Sequence, residues 1–139
     1  MNTIVAGLCM LLLSPATRPA DTTTLNGRWF LQAVLPSDTA AGKIPNITFT
    51  VKDYRFTGNT GCNKMEGTFK LTGKSLKFDA YIKRGKKICT GYNEEAFIKS
   101  LLQANNYKFE KGVLILMFDA TELSRWTRAP TPPVKTERA

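Results

Sequence analysis

The fold of this chain is decided by the stretch Gly58-Asn59-Thr60-Gly61-Cys62-Asn63-Lys64-Met65-Glu66-Gly67-Thr68-Phe69. Its centre is a glycine–cysteine–asparagine corner, and a segment typical of a β-strand follows. Turn chemistry accounts for the corner, because Gly and Asn readily supply a positive φ at a turn or bulge. The alternative is a binding site in which backbone N–H groups converge on a ligand and Asn63 offers its amide.

Segments that alternate apolar and polar residues lie on both sides of this stretch and predict short β-strands. Upstream, strands are expected at residues 29–33, 47–51 and 54–56, with a tight turn at 52–53. Downstream, a hairpin is expected about residues 72–74, and closing strands at 107–109, 113–118 and 123–128. Residues 113–118 are all apolar, which indicates a central strand that is covered on both faces.

One segment, from Tyr92 to Gln103, has helical periodicity instead. Thr90 or Asn93 can cap its first turn, and an acidic pair opposes the positive end of the helix dipole. Four apolar side chains recur at helical spacing and predict the face that packs on the sheet: Phe97, Ile98, Leu101 and Leu102. We expect Phe97 and Leu101 to be buried.

The ordered set of motifs resembles the META domain, the domain of HslJ-type heat-shock lipoproteins and related secreted bacterial proteins. The order is the glycine–Cys–Asn corner, the glycine–aromatic strand, a basic segment that ends at Cys89, and the helix. Together with the strand pattern, the resemblance implies an α+β, β-rich fold: an antiparallel curled sheet or partly open barrel with one main helix packed on it. Met65 stands where the family often has an aromatic residue, and Gly85 where it often has Thr or Ser.

The ends of the chain differ in composition from the expected META domain, which occupies residues 21–128. An uninterrupted apolar run at residues 4–13, followed by small residues, predicts a signal peptide at residues 1–20, although no Lys or Arg precedes the run. A buried first strand or helix is the alternative. Residues 129–139 contain prolines and charges without apolar periodicity, which predicts a disordered tail. We therefore expect an exported protein, in the periplasm, at the outer membrane or secreted, without a transmembrane span in the mature chain.

The three cysteines are interpreted from this expected export. Cys9 lies in the predicted signal peptide and is lost on cleavage; a lipid anchor is the alternative, although Leu8 stands where a lipoprotein signal has a small residue. The remaining pair, Cys62 and Cys89, favours a disulfide, because exported proteins meet an oxidising environment. Two buried free thiols are the alternative. A metal site is not expected, because two cysteines without histidine leave zinc short of ligands.

The chain is strongly basic, with a formal net charge of +9 and a pI near 9.7. Nucleic acid or an anionic membrane is one interpretation, and a soluble basic surface is the other. One local cluster contains Lys83, Arg84, Lys86 and Lys87. No aromatic residue lies inside it, so nucleic acid is not expected as a partner. These four residues, with Asn63, are the candidate binding residues for an anion such as a phosphorylated lipid or lipopolysaccharide, and a solvated loop is the alternative.

The same residues argue against catalysis. Histidine is absent, which removes the commonest general base near neutral pH. Glu94 and Glu95 are adjacent on a helix and point about 100° apart, so they form a poor acid–base pair. We expect no catalytic residues and no cofactor.

Three functional classes remain. The resemblance implies a non-catalytic envelope or secreted domain that is linked to stress tolerance and acts by binding or structural support. A small-ligand or anion-binding module that uses residues 83–87 is the alternative, and an enzyme comes last. The expected partner is an unknown envelope protein, lipid or small anion, and the protein is expected to be a monomer.

Overall fold

The computed structural model describes residues 24–32 and 43–130, which contain nine β-strands and one α-helix. The predicted signal peptide with Cys9, the strand position at Ala33 and residues 131–139 of the predicted tail lie outside the described residues. The strands are β1 Gly27–Leu31, β2 Asn46–Thr50, β3 Arg55–Asn59, β4 Lys64–Thr72, β5 Ser75–Phe78, β6 Lys83–Arg84, β7 Asn106–Glu110, β8 Val113–Phe118 and β9 Thr121–Thr127. The helix α1 is Glu94–Gln103.

All strand pairings are antiparallel, and eight strands form an uneven ring. The ring runs in the order β3-β2-β1-β9-β8-β7-β5-β4 and closes where β3 pairs with β4. It is weakest between β5 and β7, which share the single pair Ser75 and Asn106. The short strand β6 pairs with β4 at Met65 and Glu66. The predicted β-rich α+β fold, an antiparallel curled sheet or partly open barrel with one main helix packed on it, is confirmed, and the sheet curls far enough for β3 to meet β4.

Apolar side chains from the alternating strands fill the inside of the ring. The indole of Trp29 is fully buried and stacks with the ring of Phe109 at 5.9 Å between centroids. The guanidinium of Arg128 lies 3.7 Å from the Trp29 ring and hydrogen-bonds the carbonyls of Thr24, Asn26 and Arg28. Burial of this guanidinium lowers the pKa of Arg128. The arrangement fastens the start of the described chain to its end.

Strand β8 is the central strand that its sequence predicts. Its four inner positions, Leu114, Ile115, Leu116 and Met117, are all buried, so both faces of the strand are covered. It pairs with β7 on one side and with β9 on the other. Phe118, at the end of the strand, is 44% exposed.

The helix differs from its prediction in its first residue and in one buried position. It begins at Glu94 rather than Tyr92, because Asn93 is the cap: its side-chain Oδ1 accepts a hydrogen bond from the N–H of Ala96 at 2.9 Å. Leu101 is buried as expected, together with Ile98. The expectation that Phe97 is buried is wrong, since it is only partly buried and packs edge-on against Trp126.

The predicted turns are present, with one change. Residues Val51–Asp53 form a single turn of 3-10 helix, so Val51 is not part of the preceding strand, and Tyr54 follows with a φ of 56°. The β4–β5 hairpin turns at Gly73, whose φ is 60°. Within residues 24–32 and 43–130, no helix is long and apolar enough to cross a membrane.

Candidate functional site

A loop between β6 and α1, residues 85–91, carries two lysines of the basic cluster and is tethered to the corner at Gly61-Cys62-Asn63. We call it the pinned loop. The first tether is the disulfide between Cys62 and Cys89, with 2.01 Å between the sulfurs and 5.9 Å between the Cα atoms. The pair that the sequence favoured is therefore formed, and the alternative of two free thiols does not hold in this structure. Backbone contacts add to it, since the Gly85 N–H donates to the Lys64 carbonyl at 3.1 Å.

The second tether is the side-chain amide of Asn63, which is buried. Its Nδ2 donates to the carbonyl of Lys87 at 2.9 Å, and its Oδ1 accepts from the N–H of Lys87 at 2.9 Å. The amide thus pairs with the Lys87 backbone much as a neighbouring strand would. Nδ2 also lies 3.1 Å from Oε2 of Glu94. Because both N–H donors of its amide are already bonded, the role of Asn63 in this structure is to position the loop. Its predicted direct contact with an anion stays a prediction, and the amide has no free donor for such a contact.

The corner itself is held by Thr60 and by the start of the helix. The fully buried Thr60 hydroxyl accepts from the N–H groups of Cys62 and Asn63 at 3.0 and 2.9 Å. The same hydroxyl donates to Oε2 of Glu94 at 2.6 Å. The hydroxyl of Tyr92 donates to the Thr60 carbonyl at 2.5 Å. The first turn of α1 and the corner are therefore one hydrogen-bonded unit.

Arg84 is the only member of the predicted basic cluster that ion-pairs within the described residues. Its Nη1 lies 2.9 Å from Oε1 of Glu94, and its Nη2 lies 2.5 Å from Oε2 of Glu95. The hydrogen bond to Glu95 is the main cause that raises the pKa of the Arg84 guanidinium above its ordinary value. Although Glu94 and Glu95 point apart along the helix, both carboxylates reach this one guanidinium. Arg84 therefore links β6 to the helix.

The remaining cations of the cluster face solvent. Lys83 on β6 and Lys86 and Lys87 on the pinned loop are exposed, and no ion pair among the described residues involves them. Ile88 follows directly and is 91% exposed, while Tyr81 is 77% exposed. Lys86, Lys87, Ile88 and Tyr81 border a shallow groove of about 550 Å³ between the pinned loop and the first turns of α1.

Two glycines fit this geometry for different reasons. Gly61 has a φ of 100°, which confirms the turn interpretation for the glycine of the corner. Asn63 is not among the residues with a positive φ, so its expected backbone role is wrong and its side chain makes the structural contacts instead. At Gly85 a Cβ atom would lie 2.6 Å from Oδ1 of Asn63. A side chain at position 85 would thus require the Asn63 amide to move.

A second groove, of about 510 Å³, lies on the outer face of the sheet. A row of paired positions crosses it from β1 to β6: Arg28, Thr48, Thr57, Glu66 and Lys83. Lys83 therefore borders both this polar row and the pinned loop. Lys64 and Arg84 also line this groove, so its cations outnumber its one carboxylate and it is a second positively charged surface.

The geometry brings together some of the predicted site residues and adds others. Lys86 and Lys87 line the groove beside the pinned loop and Lys83 lines the second groove, whereas Arg84 and Asn63 turn inward to hold the corner. Sequence reasoning missed Thr60, although a threonine directly before a turn commonly bonds the N–H groups two or three residues on. It also missed the contact of Glu94 with Thr60, which spans 34 residues and leaves no signal in the spacing. Among residues 24–32 and 43–130, no group of three or more His, Cys, Asp or Glu side chains could hold a metal ion. The expectations of no catalysis and no cofactor stay predictions.

Comparison with known proteins places the fold. The chain is similar to a DUF4847 family protein from Bacteroides vulgatus, with 18% identity, a TM-score of 0.57, and coverage of 75% of this chain and 93% of the other. It is equally similar to a protein from Burkholderia xenovorans, with 18% identity, a TM-score of 0.59, and coverage of 89% and 100%. At this identity the likeness concerns the fold alone. No curated protein sequence matches the chain. The family model described as META domain matches residues 22–130.

Proposed function

This chain belongs to the META domain family, and we propose that it is an exported, non-catalytic domain that acts in the cell envelope, or after secretion, by binding an anionic partner. Export is supported by the apolar run at residues 4–13 and by the Cys62–Cys89 disulfide, since disulfides persist in oxidising compartments. The resemblance to HslJ-type proteins supports a role in stress tolerance. The lack of histidine and of a placed acid–base pair supports the absence of turnover.

The observation that carries the binding role is the fixed presentation of Lys83, Lys86 and Lys87. The disulfide and the Asn63 amide hold the backbone on which two of these lysines stand. A preorganised cluster loses less conformational freedom when it binds an anion than lysines on a mobile segment would lose. Arg84, the fourth cation, is paired with both Glu94 and Glu95, and this triad carries one net negative charge, so only the three lysines supply positive charge to a partner.

The binding role is tested with a soluble polyanion, inorganic tripolyphosphate, by titration calorimetry at low and high salt. We expect wild-type protein to bind, and the affinity to fall steeply with salt, because exposed charges are screened within about 8–10 Å at physiological ionic strength. The variant Lys83→Glu/Lys86→Glu/Lys87→Glu should lose the binding. The matched control Lys52→Glu/Lys99→Glu/Lys111→Glu has the same net charge but alters exposed lysines elsewhere, and it should keep most of it.

Two results would count against this role. Equal loss in the two triple variants would mean that net charge, rather than the cluster, attracts the anion. Undiminished binding by the Lys83, Lys86 and Lys87 variant would remove the cluster from the function and leave an envelope domain with an unidentified protein partner. Export is tested separately, by cell fractionation and by mass spectrometry of the mature N-terminus. Export would be contradicted if the protein were found in the cytoplasm with its first 20 residues still attached.

A further inference from the structure

Ile88 is the most exposed large apolar residue in the described chain, and its position is fixed by its neighbours. It is 91% exposed, whereas the next residue, Cys89, is disulfide-bonded and the preceding residue, Lys87, is bonded through its backbone to Asn63. The exposure is therefore imposed by tethers on both sides of Ile88. A single surface isoleucine is ordinary, but Ile88 and the exposed Tyr81 border one groove, and together they offer an apolar surface to a partner.

The surroundings of Ile88 indicate the chemistry of that partner. Lys86 and Lys87 precede it directly, and both are exposed. Tyr81, which is 77% exposed, borders the same 550 Å³ groove as these three residues. Glu94 and Glu95 line the groove as well, but both carboxylates are bonded to Arg84. An apolar tip, flanking lysines and an amphipathic aromatic ring are the combination that suits the boundary between lipid headgroups and acyl chains.

We propose that the pinned loop docks onto an anionic lipid bilayer, a proposal that rests on the anion-binding role of the same lysines. Ile88 enters the apolar layer below the headgroups. Lys86 and Lys87 contact lipid phosphates, with Lys83 as a third cation, and the ring of Tyr81 lies at headgroup level.

Charge decides between this partner and the other occupants of the surface. A second copy of the chain that docked through the same face would set Lys86 and Lys87 against the same two lysines, and Glu95 on that face is already bonded to Arg84, which opposes such a dimer. A protein partner would need acidic side chains around an apolar pocket. An anionic bilayer supplies negative charge and apolar depth over any area, and it needs no shaped pocket. The shallow surface around Ile88 therefore favours the bilayer.

The expected strengths follow from the same physics. Each lysine near an anionic leaflet strengthens binding by about fivefold. Burial of an isoleucine side chain adds a factor of about ten or more. Vesicles of phosphatidylglycerol mixed with phosphatidylcholine should therefore bind wild-type protein far better than vesicles of phosphatidylcholine alone, as measured by co-sedimentation.

The decisive variant is Ile88→Ser, which removes the apolar tip and leaves every lysine in place. We expect its partition onto phosphatidylglycerol vesicles to fall by about tenfold or more, with tripolyphosphate binding unchanged. The control is Phe118→Ser. Phe118 is also an exposed apolar residue, but it lies far from the pinned loop. Its neighbour Asp119 bonds Asn105, which follows the C-terminal end of α1, whereas the pinned loop lies at the N-terminal end of that helix. This variant should partition like wild type, and thermal melting should show that both variants are folded.

A second variant, Ile88→Trp, reports insertion directly. The native tryptophans, Trp29 and Trp126, are 0% and 1% exposed, so their emission should change little when vesicles are added. A blue shift of the added indole on phosphatidylglycerol vesicles is expected. Partition of Ile88→Ser within twofold of wild type, or an unshifted emission of Ile88→Trp on bound vesicles, would overturn docking through Ile88 while leaving anion binding intact. If wild-type protein does not bind tripolyphosphate, the anion-binding role on which docking rests would instead be overturned.

Discussion

The barrel interior and the pinned loop are held by opposite kinds of interaction. The interior is built from fully buried side chains such as Trp29, Phe49 and Trp126. In residues 85–91, by contrast, only Cys89 is partly buried and the others are exposed. The loop is held by one covalent bond and by a buried amide. A segment that does not depend on its own apolar burial is free to present lysines and an isoleucine to a partner.

The largest expected effect belongs to the interior. Trp29→Ala should lower the free energy of unfolding by about 3–5 kcal/mol, because it leaves a large cavity. It also removes the ring on which Phe109 and Arg128 pack. Urea denaturation followed by circular dichroism measures the change. The matched aromatic substitution at the loop side, Tyr81→Ala, should change stability by less than about 0.5 kcal/mol, since that ring is exposed. A similar loss in both variants would break the contrast between the two regions.

The covalent tether comes second. In the chain-entropy model, removing a disulfide that closes a loop across a sequence separation of 27 costs about 3–4 kcal/mol. The double variant Cys62→Ala/Cys89→Ala should therefore be less stable by about that amount, and trypsin should cleave it faster after Lys86 and Lys87. The non-reduced wild type is the reference for both measurements. If the double variant is destabilised but its loop is cleaved no faster, the bond supports the barrel and does not fix the loop.

Much of the fold could be predicted from the sequence, because the signals are local. Alternation of apolar and polar residues placed the strands, and the unbroken apolar run at 113–118 marked the central strand β8. The helix start was wrong by two residues, since Thr90 and Asn93 are both good caps and only the three-dimensional path selects Asn93. The burial of Phe97 was predicted wrongly because helical periodicity identifies the face of the helix that packs on the sheet but not how deeply each side chain on that face is buried.

The candidate site was predictable only in its charges and its cysteines. The basic cluster and the Cys62–Cys89 pair stand out in the sequence, whereas the partners of Arg84 do not. Strand β6 contains two residues, and its register on β4 sets where the guanidinium meets the helix. Such a contact between distant segments leaves no trace in spacing. The role of Asn63 has the same origin, as it depends on the closing of the loop by the disulfide.

The third prediction concerns the polar tether. Asn63→Ala would leave the N–H and carbonyl of Lys87 without their partner, which should cost about 1–3 kcal/mol and speed hydrogen exchange of the Lys87 amide. Asn63→Asp fills the same volume but sets a carboxylate against Glu94, so it should be at least as destabilising. If Asn63→Asp is as stable as wild type while Asn63→Ala is destabilised, Asn63 matters for its volume and not for its amide.

The smallest effect belongs to the surface of the barrel. Polar contacts there are exposed, whereas the contacts of the Asn63 amide that hold the pinned loop are partly buried. The carboxylate of Asp79 accepts hydrogen bonds from Nζ of Lys70, at 2.7 Å, and from the hydroxyl of Thr68. These bonds, that of Lys70 first, lower the pKa of Asp79 below its ordinary value of 3.8. A carboxyl whose pKa is depressed in the folded state stabilises the fold above its unfolded pKa, and this contribution is lost as the pH falls through the folded pKa.

Lys70→Met should therefore raise the pKa of Asp79 toward its ordinary value, as measured by NMR titration of the carboxyl carbon. Its stability should also fall less steeply than that of wild type as the pH is lowered below the usual range of aspartate. Because the Lys70 side chain is 77% exposed, the difference should be small and should shrink in high salt. An unchanged Asp79 pKa in Lys70→Met would assign the shift to Thr68. A large, salt-insensitive loss of stability would mean that this exposed pair behaves like the enclosed contacts of the pinned loop, and the distinction between the two regions would fail at the barrel surface.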